Sequence, residues 1–531
     1  MKFTPPACKQ LIHKAVLSCV KPITCQPAFF VLLYVLLGAP DIYSILVLHS
    51  LLPVFKASFV FLSCYILALP VVFLTERLRK IYKVVLLVFA TIFFIVDIYL
   101  LLLYNETFST INKNAIAAVL ATNPNEMVEY INAYFTFANT LILSASVSAV
   151  LVLFCYLRKQ SFKWNGVGRS VLLMLLFLSA LKSLVQFNDI KDGNLYYFIT
   201  KKCPDLREYR QSPSVRSSNE RIDNIVLVIG ESFSKLHSSL YGYEKKTNPR
   251  LETFEDGKAL FVYKNVTSAC GSTIPAIKSI MMAYTDCMSD SIEWFRCLTL
   301  IEVMQNAGYR TFWFSNQSKY GVYDNEIGRV ADLCDEQFFI GQSMSKFHYD
   351  EELLTVIDDR LMNNCQSRLV VVHMAGSHAE YNKRYPSLFS KFKSDDYDTD
   401  YSHLSLDKKQ ILSEYDNSIY YNDSVVYELM TRFEHESAVV VYLSDHGEDV
   451  FYSSDDFYGH FDNSRTKVEQ HIPFMVYTSQ LFREKHPELQ KRIEGAMNRP
   501  YRTDSIMYTI MDIAGVETVN GISYKHKSLF K

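Results

Sequence analysis

The sequence predicts an α-helical transmembrane domain of about five spans, followed by an α/β soluble domain with a mostly parallel central sheet. Three observations carry that expectation. Residues 1–187 are strongly apolar with long charge-free stretches, whereas the remainder has the balance of a soluble protein. Basic residues gather in alternate loops of the apolar half, as they do where a chain crosses a bilayer repeatedly. In the polar half, short β-branched runs alternate with helix-like segments.

At 531 residues the chain is too long for one ordinary domain. Its 54 Lys and Arg against 56 Asp and Glu give no sign of a nucleic-acid-binding surface. A membrane-crossing helix takes roughly 20 predominantly apolar residues, and the segments 27–50, 57–75, 82–104, 136–157 and 168–187 qualify. The first is interrupted by Gly38-Ala39-Pro40-Asp41, so it reads either as one broken span or as a span plus an interfacial piece. The third is the cleanest, with Asp97 its only charge between Val84 and Leu103. A cleaved leader would account for only one such segment.

Lys2, Lys9, Lys14 and Lys21 precede the first span. Arg77, Arg79, Lys80 and Lys83 lie between the second and third, and Arg158, Lys159, Lys163 and Arg169 between the fourth and fifth. These loops belong on the cytoplasmic side, which places the polar half outside the cytoplasm. The loop 105–135 carries its own apolar periodicity (Ile116, Val119, Leu120, Met127, Tyr130, Ile131) and is expected to form a helix on the membrane surface. A polar connecting segment, 188–221, then leads to the polar domain expected over 222–531. No CxxC pair occurs among the 11 cysteines, which excludes a zinc-finger pattern. Disulfides are permitted in the outer half, with Cys287 and Cys297 the nearest pair in sequence.

Strands are expected at Ile225-Val226-Leu227-Val228-Ile229, Thr311-Phe312-Trp313-Phe314, Leu369-Val370-Val371-Val372, Val439-Val440-Val441-Tyr442-Leu443 and Phe474-Met475-Val476-Tyr477. Continuous apolar runs of this kind belong to parallel strands buried on both faces. The segment 298–307 has helical spacing and ends at Gly308, a fitting C-cap. Functional residues in such sheets collect beyond the carboxyl ends of strands. Polar clusters stand there after the first, third and fourth runs: Gly230-Glu231-Ser232, Gly376-Ser377-His378 and Ser444-Asp445-His446-Gly447.

Asp445 and His446 are a carboxylate and an imidazole side by side at a strand end, and Glu231 could join them as a third ligand. Oxygen and nitrogen donors of this kind suit a tetrahedral zinc site that keeps a position for the reacting group. The nucleophile should lie near a helix start, where free N–H groups and the helix dipole favour a phosphate. The stretch from Ser268 to Ala276 fits, and from its chemistry alone Ser272 and Thr273 are equal candidates. Zinc would lower the pKa of either hydroxyl.

Further stretches join these: Ser239-Leu240-Tyr241-Gly242-Tyr243 with Thr247-Asn248-Pro249, Asn265-Val266-Thr267-Ser268, Arg384-Tyr385-Pro386, and Tyr415-Asp416-Asn417. In order and spacing the set resembles the phosphoethanolamine transferase family of the alkaline phosphatase/sulfatase superfamily, which includes enzymes that modify lipid A in Gram-negative bacteria. The resemblance covers the whole soluble half, and spans ahead of it match the family's architecture.

It implies zinc bound by Glu231, Asp445 and His446 with Thr273 as the metal-bound nucleophile, one zinc site with a second left open, and a sulfatase-like fold. Counting without a gap from Ser268 selects Thr273 over Ser272. The family's Cys-Gly-Thr directly follows that Ser, however, and here Ala269 intervenes. His378 and His460 resemble positions that contact the phosphoryl group or a second metal. His471 matches no role and reads as structural; Lys278 is near the nucleophile only in sequence.

The activity implied is transfer of phosphoethanolamine from phosphatidylethanolamine to an envelope glycolipid such as lipid A, through a phosphothreonine ester. The implied setting is a monomeric multi-pass protein of the bacterial inner membrane with its catalytic domain in the periplasm. A phosphoglycerol transferase of the same superfamily, or transfer to a core sugar, glucan or other glycan, is the alternative. From a different class, a membrane receptor with a degenerate, metal-free site would fit the same anchor.

Overall fold

A computed structural model of the chain describes residues 17–48, 52–104, 137–160, 162, 164–191, 205–210, 212–218, 221–283, 294–319, 326–341, 348–361, 367–455, 457–460, 467–518 and 527–531. The chain divides into two compact units, one helical and one α/β.

The helical unit carries α1 (Pro27–Leu48), α2 (Leu52–Phe73), α3 (Glu76–Tyr104), α4 (Phe137–Lys159) and α5 (Gly166–Lys191), one at each apolar segment. Among the described residues, Glu76–Ile98 and Thr140–Lys159 are long and apolar enough to cross a membrane. A third crossing results if Leu17–Thr24 and Pro27–Ala39, bent by 72°, count as one. That bend lies ahead of Pro27, whereas α1 runs unbroken through 38–41, where an interruption was expected. Gly38 serves packing instead: a Cβ there would stand 3.3 Å from Val60 Cγ1 on α2.

Phe30, Leu33, Cys64, Ala68, Phe94 and Leu176 form the inner core of the bundle, and Asp97 is also turned inward. Phe89, Ile92, Leu151, Val152 and Phe177 face outward. An apolar exterior of this kind is the surface that hydrocarbon solvates. The expected surface helix at 105–135 lies outside the described residues, as do Cys203, Cys287 and Cys365, so the Cys287–Cys297 pairing does too. Cys334 is a buried free thiol.

In the α/β unit the main sheet comprises β1 (Asn224–Gly230), β2 (Leu260–Val262), β3 (Arg310–Ser315), β4 (Glu336–Phe339), β5 (Arg368–His373), β6 (Ala438–Ser444) and β7 (Phe474–Thr478). The seven strands run in the order β2-β7-β6-β1-β5-β3-β4. The block β6-β1-β5-β3-β4 is parallel, but β7 is antiparallel to both β6 and β2. The sheet is therefore mixed, and the run 474–477 departs from the parallel expectation. An apolar run reports burial on both faces and carries no information on direction. β2 and β4, at three and four residues, were too short to be read as strands.

Every residue of β1, β5 and β6 is buried. Helix α8 (Leu406–Arg432) covers part of this core through Leu412, Tyr415, Ile419, Val426 and Met430, with α6 (Thr273–Met281) and α7 (Leu300–Asn306) preceding it in the chain. α7 is closed at both ends. Thr299 and Glu302 form a capping box, and Gly308, at φ +85°, sends its N–H to Gln305 O while Tyr309 N–H reaches Met304 O. Val215–Ser217, from the expected connecting segment, pairs antiparallel with Val516–Thr518, so this part of the segment belongs to the α/β unit.

Registry levels the ends of the central strands. Gly230 stands opposite Ser444, Ile229 opposite His373, and His373 opposite Ser315. Just beyond β5, Gly376 has φ +53°, and a Cβ there would fall 2.6 Å from Glu231 O and 2.8 Å from Glu231 N. Only glycine tolerates both that backbone conformation and that approach. Gly376→Ala is therefore expected to cost about 2 kcal/mol or more. The readout is a lower thermal unfolding midpoint of the purified chain, and an unchanged midpoint would show that the Glu231 turn yields without penalty.

Candidate active site

Glu231 and Asp445 emerge side by side because β1 and β6 are parallel neighbours that end level. The turn after β1 is sharp. Ser232 takes φ +57°, a left-handed conformation that costs a non-glycine residue about 1–2 kcal/mol. That turn delivers Ser232 N–H to Asp445 Oδ1 (3.3 Å) and Ser232 Oγ to Glu231 Oε1 (2.8 Å). Tyr415 on α8 clamps it from behind, accepting from Ser234 N–H (2.9 Å) and donating to Ser232 O (2.7 Å).

His446 follows Asp445 and lies 3.1 Å from Glu231 Oε1 and 3.5 Å from Asp445 Oδ2 through Nε2. Its Nδ1 is 2.8 Å from Gly447 O, an acceptor, so Nδ1 carries a proton and Nε2 is the nitrogen that faces the two carboxylates. Thr273 opens α6, and its Oγ1 stands 3.2 Å from both Glu231 Oε2 and His446 Nε2. Ser268 pins the loop ahead of it through a short hydrogen bond to Asp445 O, and Ala269 N–H donates to Thr503 Oγ1 (2.9 Å). Between the two candidate hydroxyls, that of Thr273 joins the cluster, while Ser272 is the N-cap of α6.

The electrostatics of this cluster are those of an overcrowded anion. Burial raises the Glu231 carboxyl, but the charge and hydrogen bond of His446 overcome it and hold Glu231 well below the usual range. Burial and the charge of Glu231 push Asp445 well above its ordinary value. Against its own burial, the two carboxylates hold His446 up to about 10.

Among the described residues, Asp445 Oδ2 is buried with no hydrogen-bond partner, its cationic neighbour being His446 Nε2 at 3.5 Å. Ligand atoms of Glu231, Asp445 and His446 all lie within 4.8 Å of one another. An orphaned carboxylate oxygen among hard oxygen and imidazole donors fits a divalent cation such as zinc.

A second group adjoins the first. His460 Nδ1 is 2.6 Å from Glu448 Oε2, Tyr381 donates to Glu448 Oε1 (2.7 Å), and the His446 and His460 rings are 4.0 Å apart. The ring of His378 is 6.4 Å from that of His460. Burial and the Arg384 guanidinium, 3.4 Å from His378 Nδ1, push His378 below the usual imidazole range, so it is neutral. Lys278 instead pairs with Glu326 at 2.6 Å, and His471 meets the neighbouring turn through its carbonyl, which accepts from Lys235 N–H (2.9 Å).

Sequence reasoning missed Gln317, whose Nε2 donates to Glu231 Oε2 (2.9 Å) and Met374 O (3.1 Å). The signal was present: Gln317 lies just past the strand 311–314, and the same rule of strand ends applied there would have found it. Glu448, which directly follows Ser444-Asp445-His446-Gly447, was missed as well.

The Sulfatase family model matches residues 223–516. The chain is 27% identical over 451 residues to phosphoethanolamine transferase EptC of Escherichia coli strain K12, an alignment covering 78% of this chain and 76% of that one. The structure is similar to the crystal structure of the C-terminal periplasmic domain of Escherichia coli EptC in complex with Zn. That similarity has a TM-score of 0.54 and 25% identity, and covers 61% of this chain and 90% of that one. With the integral membrane protein lipooligosaccharide phosphoethanolamine transferase A from Neisseria meningitidis the TM-score is 0.63 at 19% identity, over 94% of this chain and 97% of that one. This last likeness is one of fold. Since the matched stretch runs from the strand that presents Glu231 to the last strand of the α/β unit, the chain belongs to the Sulfatase family.

Proposed function

We propose that the chain transfers phosphoethanolamine from phosphatidylethanolamine to an envelope glycolipid such as lipid A. The observation that carries this reading is the Thr273 hydroxyl, 3.2 Å from both Glu231 and His446 at the start of α6, in a chain related through most of its length to a phosphoethanolamine transferase. Residues 1–187 are the membrane domain, with five spans and the loop 105–135 at the membrane surface. Residues 222–531 are the catalytic domain, placed in the periplasm by the basic loops. A donor that never leaves the bilayer suits an enzyme anchored in it.

Glu231, Asp445, His446 and Thr273 would hold one zinc ion. Bound there, zinc supplies Lewis acidity that lowers the pKa of the hydroxyl and offsets charge at the phosphoryl group. Thr273 Oγ1 gives up its proton to solvent water and forms a bond to phosphorus as the bond from phosphorus to the diacylglycerol oxygen breaks. That oxygen leaves as the alcohol once it takes up a proton. His460, tied to Glu448 through Nδ1, has Nε2 left for the phosphoryl group or for this proton. Neutral His378 serves as a hydrogen-bond partner of the phosphoryl oxygens. An acceptor hydroxyl or phosphate then attacks the phosphothreonine ester and regenerates Thr273.

Protein isolated with donor lipid is expected to carry a phosphoethanolamine mass on Thr273. Thr273→Ala should lose that mass and roughly a thousandfold or more of activity, while Ser272→Ala keeps both; full activity in Thr273→Ala would sink the proposal. Chelation should abolish transfer and added zinc restore it. Asp445→Asn should leave purified protein with markedly less bound zinc by metal analysis. Comparing envelope glycolipids from cells with and without the gene by mass spectrometry identifies the acceptor, and a phosphoglycerol mass in place of phosphoethanolamine would select the sister activity.

A further inference from the structure

We infer that Gln317 is the positioning residue that sets the plane of the Glu231 carboxylate for the metal and for Thr273. The inference rests on the zinc reading of Glu231. Besides the Thr273 hydroxyl, each oxygen of that carboxylate has a neutral donor of its own: Ser232 Oγ on Oε1 (2.8 Å) and Gln317 Nε2 on Oε2 (2.9 Å). Oε2 is also the oxygen nearer the Thr273 hydroxyl, at 3.2 Å against 3.5 Å for Oε1. The two donors come from different strand ends, β1 and β3, so together they fix the rotation of the carboxylate about its terminal bond.

The Gln317 amide has only one way to face. Both of its partners, Glu231 Oε2 and Met374 O, are acceptors, so the NH2 group and not the carbonyl points at them. The backbone beneath it is anchored. Gln317 N–H donates to Ser315 Oγ (3.1 Å), which in turn lies 3.2 Å from His373 Nδ1. Asn316 Nδ2 donates to Asp350 Oδ1 (2.9 Å), and the same Asp350 receives the N–H groups of Ala375 (2.8 Å) and Gly376 (2.9 Å).

One carboxylate thus ties the β3 turn to the glycine turn that presses on Glu231. A donor held this firmly orients a ligand without adding charge to a site that already has too much. Outer groups of this kind are worth about 10- to 100-fold in metal affinity.

The test uses the full-length chain in detergent, with zinc affinity measured by chelator competition, thermal unfolding of the metal-free protein, and kcat and KM for donor lipid. Gln317→Met keeps the length and loses the donor, and Gln317→Glu keeps the shape and turns the donor into a repelling carboxylate. Gln317→Met is expected to weaken zinc binding by about 10- to 100-fold and to lower kcat more than it raises KM, while Gln317→Glu, whose new carboxylate faces Glu231 Oε2, is expected to lower the metal-free midpoint. Zinc binding as tight as wild type in Gln317→Met overturns the inference, whether or not its midpoint falls. A wild-type chain that takes up no zinc overturns the metal reading and this inference with it, which distinguishes the two failures.

Discussion

Glu231 and Asp445 are both fully buried, and their ligand oxygens lie within 4.8 Å of each other. At that separation two like charges repel by about 3–4 kcal/mol in a medium of effective dielectric 20, before the cost of taking either out of water. The site depends on resolving that conflict. Without a cation the two carboxylates hold His446 up to about 10, and burial and Glu231 push Asp445 well above its ordinary value, both of which relieve the repulsion. A divalent ion would resolve it more fully, and the Thr273 hydroxyl lies 3.2 Å from Glu231 Oε2 and His446 Nε2, the groups that would hold it.

What the rest of the domain does follows from this constraint. Placing two carboxylates together requires neighbouring strands that end level, and the β1–β6 pairing supplies them. It also requires a turn tight enough to aim Glu231 back along the sheet, hence the left-handed Ser232, and a neighbouring turn with no side chain to obstruct it, hence Gly376. The hydrogen bonds of Tyr415, Ser268 and Gln317 then act on backbone or carboxylate groups of that assembly and hold it against its own repulsion.

The helical unit solves a different problem with the opposite patterning. Its buried face is closely packed, while Phe89, Ile92, Leu151 and Phe177 stand exposed in numbers that water would not tolerate. One chain therefore combines a sheet that hides every apolar run with a bundle that displays them, which is the composition change visible near residue 188.

The residues themselves determined a good deal. Apolar length and loop charge located the five helices, because those depend on local composition alone. All five β-branched runs became strands, and the clusters at Glu231, His378 and Asp445-His446 lie at strand ends, because burial on both faces leaves a direct trace in sequence. Strand direction, and with it the antiparallel β7, had no such trace. The choice between Ser272 and Thr273 was equally closed to local reasoning, since adjacent hydroxyls at a helix start differ only in where the helix points them.

Tertiary structure brings Thr273 Oγ1 to Glu231 and His446, a contact between residues far apart in the chain. It also brought in Gln317, distant in sequence from every other member of the site. A hydrogen bond across 86 positions depends on strand order, and strand order is a property of the folded sheet.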